Sequence, residues 1–493
     1  MHQQNIHDMY TAVETNHGFD VIIIVSSSSD QAEFWQQRLR ATSSSVIGHK
    51  TRVISVEEDW AGGAGQLLGT LYAWNKANTI FDLNRMLETG GTVAMYHTAG
   101  KGTRMAPIPA AEANNKSAIK LPRLIEILGL KIPFTILEAV IFQTGIFAAS
   151  RPGRLCVFWG DQVFIPSKKV EFAGSYHAEI LDIRAEIPSD EDFWKRDWQS
   201  YGLIIPTESG EALQREKQKW DELQGLINTG TARPDASGRI TLGKSLGCFT
   251  VSYDLLAALL GEFAKELNHK QGKLDTDPHL WMPLTSESGD FVLRGGDPIY
   301  WDRLNRFKEK VLAQSEQGFK LFGDKDIGAD TLWWDYGQVK IYHQNFLKAL
   351  DDSFEGECLR QFYDLEKHWI KNSESDGTKI ENSILIDTQA RGTIKNCVLL
   401  GSRANGISVS NSVIVNSVLS QIQADRALIY NCTHLTDTEL PSGEVVTDLF
   451  LSPESRIRMK TNLSRDGKED WEKVLSENPY SFAQLAQLVE KAK

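Results

Sequence analysis

The run His97-Thr-Ala-Gly-Lys-Gly-Thr-Arg-Met-Ala-Pro107 carries the densest phosphate-handling chemistry in this chain. It follows the stretch Gly91 to His97, which reads as a strand. A strand that ends in a glycine-rich turn exposes backbone N–H groups, and Gly100 and Gly102 would let the chain approach an anion without a Cβ in the way. Ala99 and Thr103 flank these glycines, and Arg104 adds a permanent, forked cation. Two other phosphate loops are excluded. A dinucleotide fingerprint needs glycine where Met105 stands, and a P-loop needs serine or threonine directly after Gly100-Lys101, where Gly102 stands. Downstream, Asn114-Asn-Lys-Ser-Ala-Ile-Lys-Leu-Pro122 offers Lys116 and Lys120, Gly160-Asp-Gln-Val-Phe164 puts Asp161 at the end of a strand, and Leu332-Trp-Trp-Asp-Tyr-Gly337 offers Asp335.

Positioning such a set requires a layered scaffold. Asp20 to Leu39 reads as a short buried strand, a polar turn, and a helix beginning near Asp30. Thr51 to Val56, Gly91 to His97 and Arg154 to Gly160 read as further strands, and Leu124 to Leu130 and Phe134 to Phe147 as helical stretches between them. Strands alternating with helices imply a largely parallel sheet with helices on both faces. Beyond about residue 375 short β-rich blocks recur: Asn382, Asn396 and Asn411 are separated by 14 and 15 residues, and Asn416 to Asn431 repeats the 15. That period reads as stacked coils of a small β-helix, with an antiparallel sandwich as the alternative. The segment after Pro453 is expected to be helical.

A chain of 493 residues exceeds what one core usually serves, so more than one domain is expected. The net charge of -12 repels phosphate polymers and anionic lipid, which argues against nucleic-acid and membrane partners. An anionic substrate would need a local cluster of cations or a metal ion. The five cysteines are odd in number, widely spaced and without a C-x-x-C pair, so reduced thiols are expected. The first twenty residues lack the apolar region of a secretory signal and no apolar run could span a bilayer, which points to a cytoplasmic protein.

The ordered set Gly-x-Gly-Thr-Arg, Lys…Leu-Pro, Gly-Asp-x-x-Phe, Tyr-Gly, Trp-x-Asp-x-Gly, then a β-helix, resembles the sugar-1-phosphate nucleotidyltransferases over roughly residues 20 to 435. The resemblance implies an α/β fold, a Rossmann-like mixed sheet of GT-A type with helices on both faces, over residues 1–370, then a left-handed-type β-helix over 371–452 and a helical tail over 453–493. Within the first part, 19–90 would form a permuted-looking base-binding segment and 91–345 would hold the phosphate, sugar and metal motifs. It makes Ala99, Gly100, Gly102 and Thr103 the nucleotide-phosphate loop, with Arg104 on the α-phosphate and the departing pyrophosphate. Lys116 looks like the lysine that holds the substrate phosphates. The spacing to Pro122 is longer than in the simplest members, so Lys120 competes for that role. Asp161 and Asp335 match the two aspartates that hold Mg²⁺. Ser200 to Ile205 and Leu213 to Lys217 resemble the sugar-side strand and its Glu-Lys pair, with Gly202 against the sugar, Glu216 on its hydroxyls and Lys217 on its phosphate, although Gln218 stands where the family has proline.

About ninety residues precede the glycine loop, whereas that loop normally opens the fold. They contain Ala61 to Trp74, similar to the base-contacting turn and helix that usually follow it. Gly62, Gly63, Gly65 and Gln66 are therefore expected to line a base pocket. This order is similar to that of the fucose-1-phosphate guanylyltransferases, whose glycine loop usually departs from the Gly-Thr-Arg kept here. The resemblance implies transfer of a nucleoside monophosphate from GTP or UTP to a sugar 1-phosphate with Mg²⁺ as cofactor (an EC 2.7.7 type activity), and self-association through the β-helix is compatible with it. The competing readings are a catalytically silent nucleotide-sugar sensor or scaffold that presents its β-helix to partners, and a bifunctional acyl-transferring enzyme.

Overall fold

The computed structural model describes residues 1–127, 129–171, 174–375, 377–435 and 439–492. Helix α1 (His2–Glu14) precedes strand β1 (Val21–Ser26), every residue of which is buried. Its alternate side chains enter two different cores. Ile22 and Ile24 join Ala94, Tyr96, Cys156 and Phe158 beneath α1 and α2 (Ser29–Ala41). Val21, Ile23 and Val25 join Val93, Met95, Leu155 and Val157 beneath α3 (Gln66–Ile80), through Leu67, Leu68, Leu71 and Trp74. At roughly 1.5–3 kcal/mol for each fully buried aliphatic side chain, such two-sided burial explains the unbroken apolar run and fixes β1 in the interior of a sheet.

β2 (Arg52–Glu57), β1, β3 (Thr92–His97) and β6 (Arg154–Trp159) lie side by side in that order and are parallel. They match the four strands expected from the sequence. A β-hairpin of β4 (Lys120–Ile127) and β5 (Leu130–Thr135) and helix α4 (Ile136–Thr144) connect β3 to β6. Of Leu124 to Leu130, expected to be helical, Leu124–Ile127 and Leu130 are strand and Leu128 lies outside the described residues. Phe134 and Thr135, the start of the second expected helix, end the Leu130–Thr135 strand; a short apolar run satisfies either geometry, and here the two backbones pair.

Beyond β6 the pairing becomes mostly antiparallel rather than a continuation of the parallel set. After β7 (Gln162–Ile165) come β8 (Tyr176–Glu186), β9 (Gly202–Pro206), β10 (Ala212–Glu216) and β11 (Thr241–Ser252). β11 runs antiparallel to β6, β8 and β9, and β12 (Lys320–Asp326) lies parallel to β8. The result is a nine-stranded mixed sheet with helices on both faces. A separate two-stranded ladder joins β7 to β13 (Leu332–Asp335), and α5 (Val339–Lys348) follows.

The C-terminal part is a curled sheet whose short strands pair in parallel with strands about 15 residues later: Ile384 with Val398, Val398 with Val413, Val413 with Leu428. Parallel pairing rules out the antiparallel sandwich. Asn382, Asn396, Asn411, Asn416 and Asn431 all have positive φ, between 41° and 53°. Asparagine tolerates that conformation, and its side chain bonds along the stack: Asn382 donates to Asn396 (3.1 Å), Asn396 to Asn411 (3.2 Å) and Asn416 to Asn431 (2.7 Å). The segment after Pro453 is not helical throughout. Ser455–Asn462 is a strand antiparallel to Glu444–Ser452, and only Phe482–Ala492 forms a terminal helix, α6. Among the described residues no helix is long and apolar enough to cross a membrane.

Candidate active site at the strand ends

The carboxyl ends of β1, β2, β3 and β6 form one edge. Thr98 N–H donates to Val25 O (2.9 Å), Glu58 N–H to Ser26 O (2.8 Å) and Gly160 N–H to His97 O (3.0 Å), which carries the pairing into the loops that follow. Such an edge is where parallel sheets present ligand-binding loops.

The glycine loop leaves β3 here. Gly100 has φ 133° and Gly102 lies in the left-handed region at φ 60°, ψ 33°. A Cβ at Gly102 would stand 2.9 Å from the Lys116 Cβ and 3.2 Å from Pro109 Cγ, so the loop requires glycine there both for its backbone and for its packing. Ala99 and Thr103 are half-buried on either side, and Arg104 is exposed.

Lys116 Nζ donates to Asp161 Oδ2 at 2.8 Å. Burial pushes the Asp161 carboxyl up, but the charge and hydrogen bond of Lys116, with Arg104, outweigh it and hold the group below the usual aspartate value. Asp335 arrives through the β7–β13 ladder, in which it pairs with Gln162, the neighbour of Asp161, and Tyr336 N–H donates to Asp161 O (3.0 Å). Burial raises the Asp335 carboxyl, the Gly337 N–H (2.6 Å) and Arg104 partly offset this, and the charge of Asp161 adds to it. A Cβ on Gly337 would lie 2.9 Å from Asp335 Oδ1 and 3.3 Å from Arg104 Nη2, so carboxylate and guanidinium crowd the same glycine. The structure thus brings Gly102, Arg104, Lys116, Asp161 and Asp335 together. Lys120 is placed elsewhere: it pairs with Glu112, its ammonium lies 5.3 Å from the centre of the Tyr430 ring, and its backbone bonds Tyr430 and Tyr342, at the junction with the C-terminal sheet.

On the other flank Gly202 faces Glu216 across β9 and β10, and a Cβ there would stand 2.4 Å from Glu216 Oε1. The exposed Lys217 follows with φ 45°, its N–H donating to Tyr201 O (3.2 Å). Burial raises the carboxyls of both Glu216 and Asp277, and the charge of Glu216 adds to the rise at Asp277. The turn after β2 contains Gly62, Gly63 and Gly65, all near φ 80°. Gly62 and Gly63 face open space, whereas a Cβ on Gly65 would come within 2.5 Å of the Leu274 carbonyl. Leu67 N–H donates to Leu274 O, Leu274 N–H to Ala64 O, and Gln66 Oε1 accepts from Thr276 N–H (3.3 Å). Residues 274–277 therefore strap the glycine turn to the Glu216 flank. This strap was not legible in the sequence, where nothing marks a pairing 210 residues apart.

Two aromatic residues of the Tyr-Gly and Trp-x-Asp-x-Gly motifs carried no individual role in the sequence reading. Tyr201 and Trp333 lie with ring centres 5.1 Å apart, and the Trp333 indole donates to Gln162 Oε1 (3.1 Å). The alternation of a strand was the available signal: Trp334 is buried, while Trp333 and Asp335 share the opposite face of β13.

A comparison with protein families finds no matching family model, and a comparison with curated proteins finds no match.

Proposed function

We propose that the protein transfers a nucleoside monophosphate from a nucleoside triphosphate to a sugar 1-phosphate, giving a nucleotide-sugar and pyrophosphate. The observation that carries this reading is the Lys116–Asp161 ion pair set beside Asp335 and Arg104, next to a glycine loop at the carboxyl edge of a parallel sheet. Both reactants are anions, and such a site needs charge neutralisation and positioning rather than a protein nucleophile. In this reading the mixed sheet is a GT-A-type nucleotidyltransferase domain and the stacked C-terminal rungs are a left-handed-type β-helix.

A phosphate oxygen of the sugar 1-phosphate attacks the α-phosphorus in line, the bond from the α-phosphorus to its bridging oxygen breaks, and pyrophosphate leaves with the electron pair. The N–H groups of the Ala99–Thr103 loop bind the triphosphate, and Arg104 neutralises charge that develops at the α-phosphorus and on the leaving group. Lys116 exchanges part of its contact with Asp161 for phosphate oxygen. Glu216 and the Gly202 backbone orient the sugar, and Lys217 holds its phosphate.

Asp161 and Asp335 are the residues that would hold Mg²⁺. The fit is supported by Asp335, a carboxyl raised by burial and by the neighbouring Asp161, for which a hard divalent cation is the missing counter-charge. Mg²⁺ bound there supplies charge neutralisation on the phosphates.

The test is purified protein assayed for pyrophosphate release against the four nucleoside triphosphates, each with several sugar 1-phosphates and with or without Mg²⁺. Turnover confined to particular pairs is expected. Tight nucleotide-sugar binding with no release for any pair would instead identify a silent sensor.

A further inference from the structure

We propose that a cavity between the β4–β5 hairpin, the segment 363–368 and Ile386 of the C-terminal sheet binds a small phosphoryl oxyanion, either free phosphate or the phosphoryl group of a small metabolite. The site does not depend on the activity proposed above. Its volume is about 180 Å³. Pockets that take drug-sized ligands run to roughly 300–1,000 Å³, so this one suits a phosphate with a few attached atoms and excludes a nucleotide. Basic side chains reach it from three segments: Arg123 on β4, Lys131 on β5, and Lys367 and His368 on 363–368.

The Arg123 guanidinium is held by ring faces. Its central carbon lies 4.9 Å from the centre of the Tyr10 ring, 4.9 Å from that of Phe134 and 4.6 Å from that of Phe142. Such faces attract the cation but give its N–H groups no oxygen acceptor, and Nη1 is buried without a hydrogen-bond partner among the described residues. A buried charged donor in that state is costly. An oxyanion in the adjoining cavity supplies the paired acceptors that a guanidinium fork matches. The neighbouring charges agree with this. Burial lowers the His368 imidazole first, the Lys367 ammonium lowers it next, and Lys131 adds to the fall against the opposing Asp364 carboxylate. Asp364 is already engaged by Lys367 (2.5 Å), and Glu126 stands opposite Lys131 in the hairpin ladder. With both lysines partly offset, Arg123 is the cation that an anion answers. The cavity also has a short bonded route to the catalytic edge. Tyr363, on its wall, shares a hydrogen bond with the Tyr336 hydroxyl (2.7 Å), and Tyr336 N–H donates to Asp161 O (3.0 Å).

The experiment titrates inorganic phosphate and glycerol 3-phosphate into the full chain by calorimetry, with chloride at matched ionic strength as the control. Saturable binding with a Kd of about 1 mM or tighter is expected. Tighter binding of glycerol 3-phosphate identifies a phosphorylated metabolite as the source, tighter binding of phosphate the free ion, and either order supports the site. Its location is read from the His368 ring by NMR of histidine-labelled protein, the signal being assigned by its loss in His368→Gln. Saturating phosphate should move the His368 titration midpoint up by about 0.5 to 1 pH unit, and chloride should not. Lys131→Gln, at an exposed hairpin position, should weaken phosphate binding about 2- to 5-fold. Arg123→Lys, which keeps the charge and loses the fork, should weaken it on the order of 10-fold. If Arg123→Lys fails to fold, Lys131→Gln and the wild-type His368 signal decide. A His368 midpoint that phosphate leaves unmoved, or a phosphate Kd unchanged in the folded variants, overturns the proposal, because phosphate then binds elsewhere or not at all.

Discussion

Gly102→Ala tests the central claim that the glycine loop and Lys116 form one rigid unit. Residue 102 sits at φ 60°, ψ 33°, where an alanine costs about 1–2 kcal/mol relative to its preferred conformations. Its Cβ would also stand 2.9 Å from Lys116 Cβ, 3.2 Å from Pro109 Cγ and 3.4 Å from Lys116 Cδ, against ordinary carbon contacts of about 3.5–4.0 Å. Overpacking of this kind costs about 1–3 kcal/mol when the surroundings hold still, so a rigid loop loses on the order of 2–5 kcal/mol in total. A loop that yields can relieve most of the clash by moving on the order of 0.5–1 Å, but the neighbour that must move is the stem of Lys116, whose ammonium is then pulled from Asp161. A displacement of that size near reacting groups lowers turnover on the order of 10²-fold. Urea unfolding and pyrophosphate release measured on the same preparation together capture both routes. Gly100→Ala is the comparison, because its Cβ would meet only Lys116 Nζ at 3.9 Å and so strains the backbone without pushing the lysine. A Gly102→Ala protein with wild-type stability and wild-type turnover refutes the reasoning, since the strain would have gone neither into the fold nor into the site.

Arg104→Ala is expected to lower kcat on the order of 10²–10³-fold with the unfolding midpoint unchanged, because the side chain is exposed and its removal takes away a cation aimed at developing charge; steady-state kinetics and thermal melting check both halves. Asp161→Asn and Asp335→Asn should each abolish Mg²⁺-dependent turnover, and Asp161→Asn should in addition loosen Lys116, read as a changed pH profile of residual activity. Gly63→Ala, at a position facing open space, is expected to raise the triphosphate KM alone, whereas Gly65→Ala must displace Leu274 and with it the Thr276–Asp277 strap, and should raise both KM values. His97 and His343 are pulled by burial from 6.5 to about 4, so both are neutral in the fold and the unfolded chain takes up protons first as the pH falls. Their stabilisation is complete above pH 6.5 and is lost as the pH falls toward 4, on the order of 3 kcal/mol each. His343→Gln, which keeps a donor for Asn411 O, should flatten the slope of unfolding free energy between pH 7.5 and 5 measured in urea.

What the sequence made legible were features that repeat or that satisfy local backbone demands. The four parallel strands announced themselves as apolar runs because both of their faces are buried, and the C-terminal period was visible because each corner needs a residue tolerant of positive φ and asparagine serves at five of them. What stayed hidden depends on pairings between distant segments. Leu124 to Ile127 looked helical because nothing local reveals that its hydrogen bonds go to the Leu130–Thr135 strand. The one-dimensional reading favours Lys116 by resemblance but leaves Lys120 as its competitor. They separate only when the fold sets one beside Asp161 and sends the other to Glu112 beneath Tyr430. The Leu274–Asp277 strap and the Tyr201–Trp333 pair belong to the same class, since each joins segments whose chain separation carries no pattern.

The order of segments along the chain, with a glycine turn some thirty-five residues ahead of the phosphate loop, is no obstacle to a shared site, because adjacency in a parallel sheet does not follow chain order. β1 lies between β2 and β3, so the turn that leaves β2 and the loop that leaves β3 stand two strand spacings apart, about 10 Å. Thr70 in α3 lies 2.8 Å from His97 Nε2 at the end of β3, a direct link between the helix opened by Gly65 and the strand that feeds Gly100. A separation on the order of 10 Å matches the reach from a nucleotide's base to its phosphates, whereas adjacent strands would crowd it and opposite sheet edges would exceed it. The same geometry would let an acidic protein handle the anionic substrates proposed above. The cations Arg104, Lys116 and Lys217 are few, but they converge on one edge of one sheet, and the two carboxylates among them offer a place for a divalent ion. Local charge, set by which strands are neighbours, therefore governs the site despite a net charge of -12.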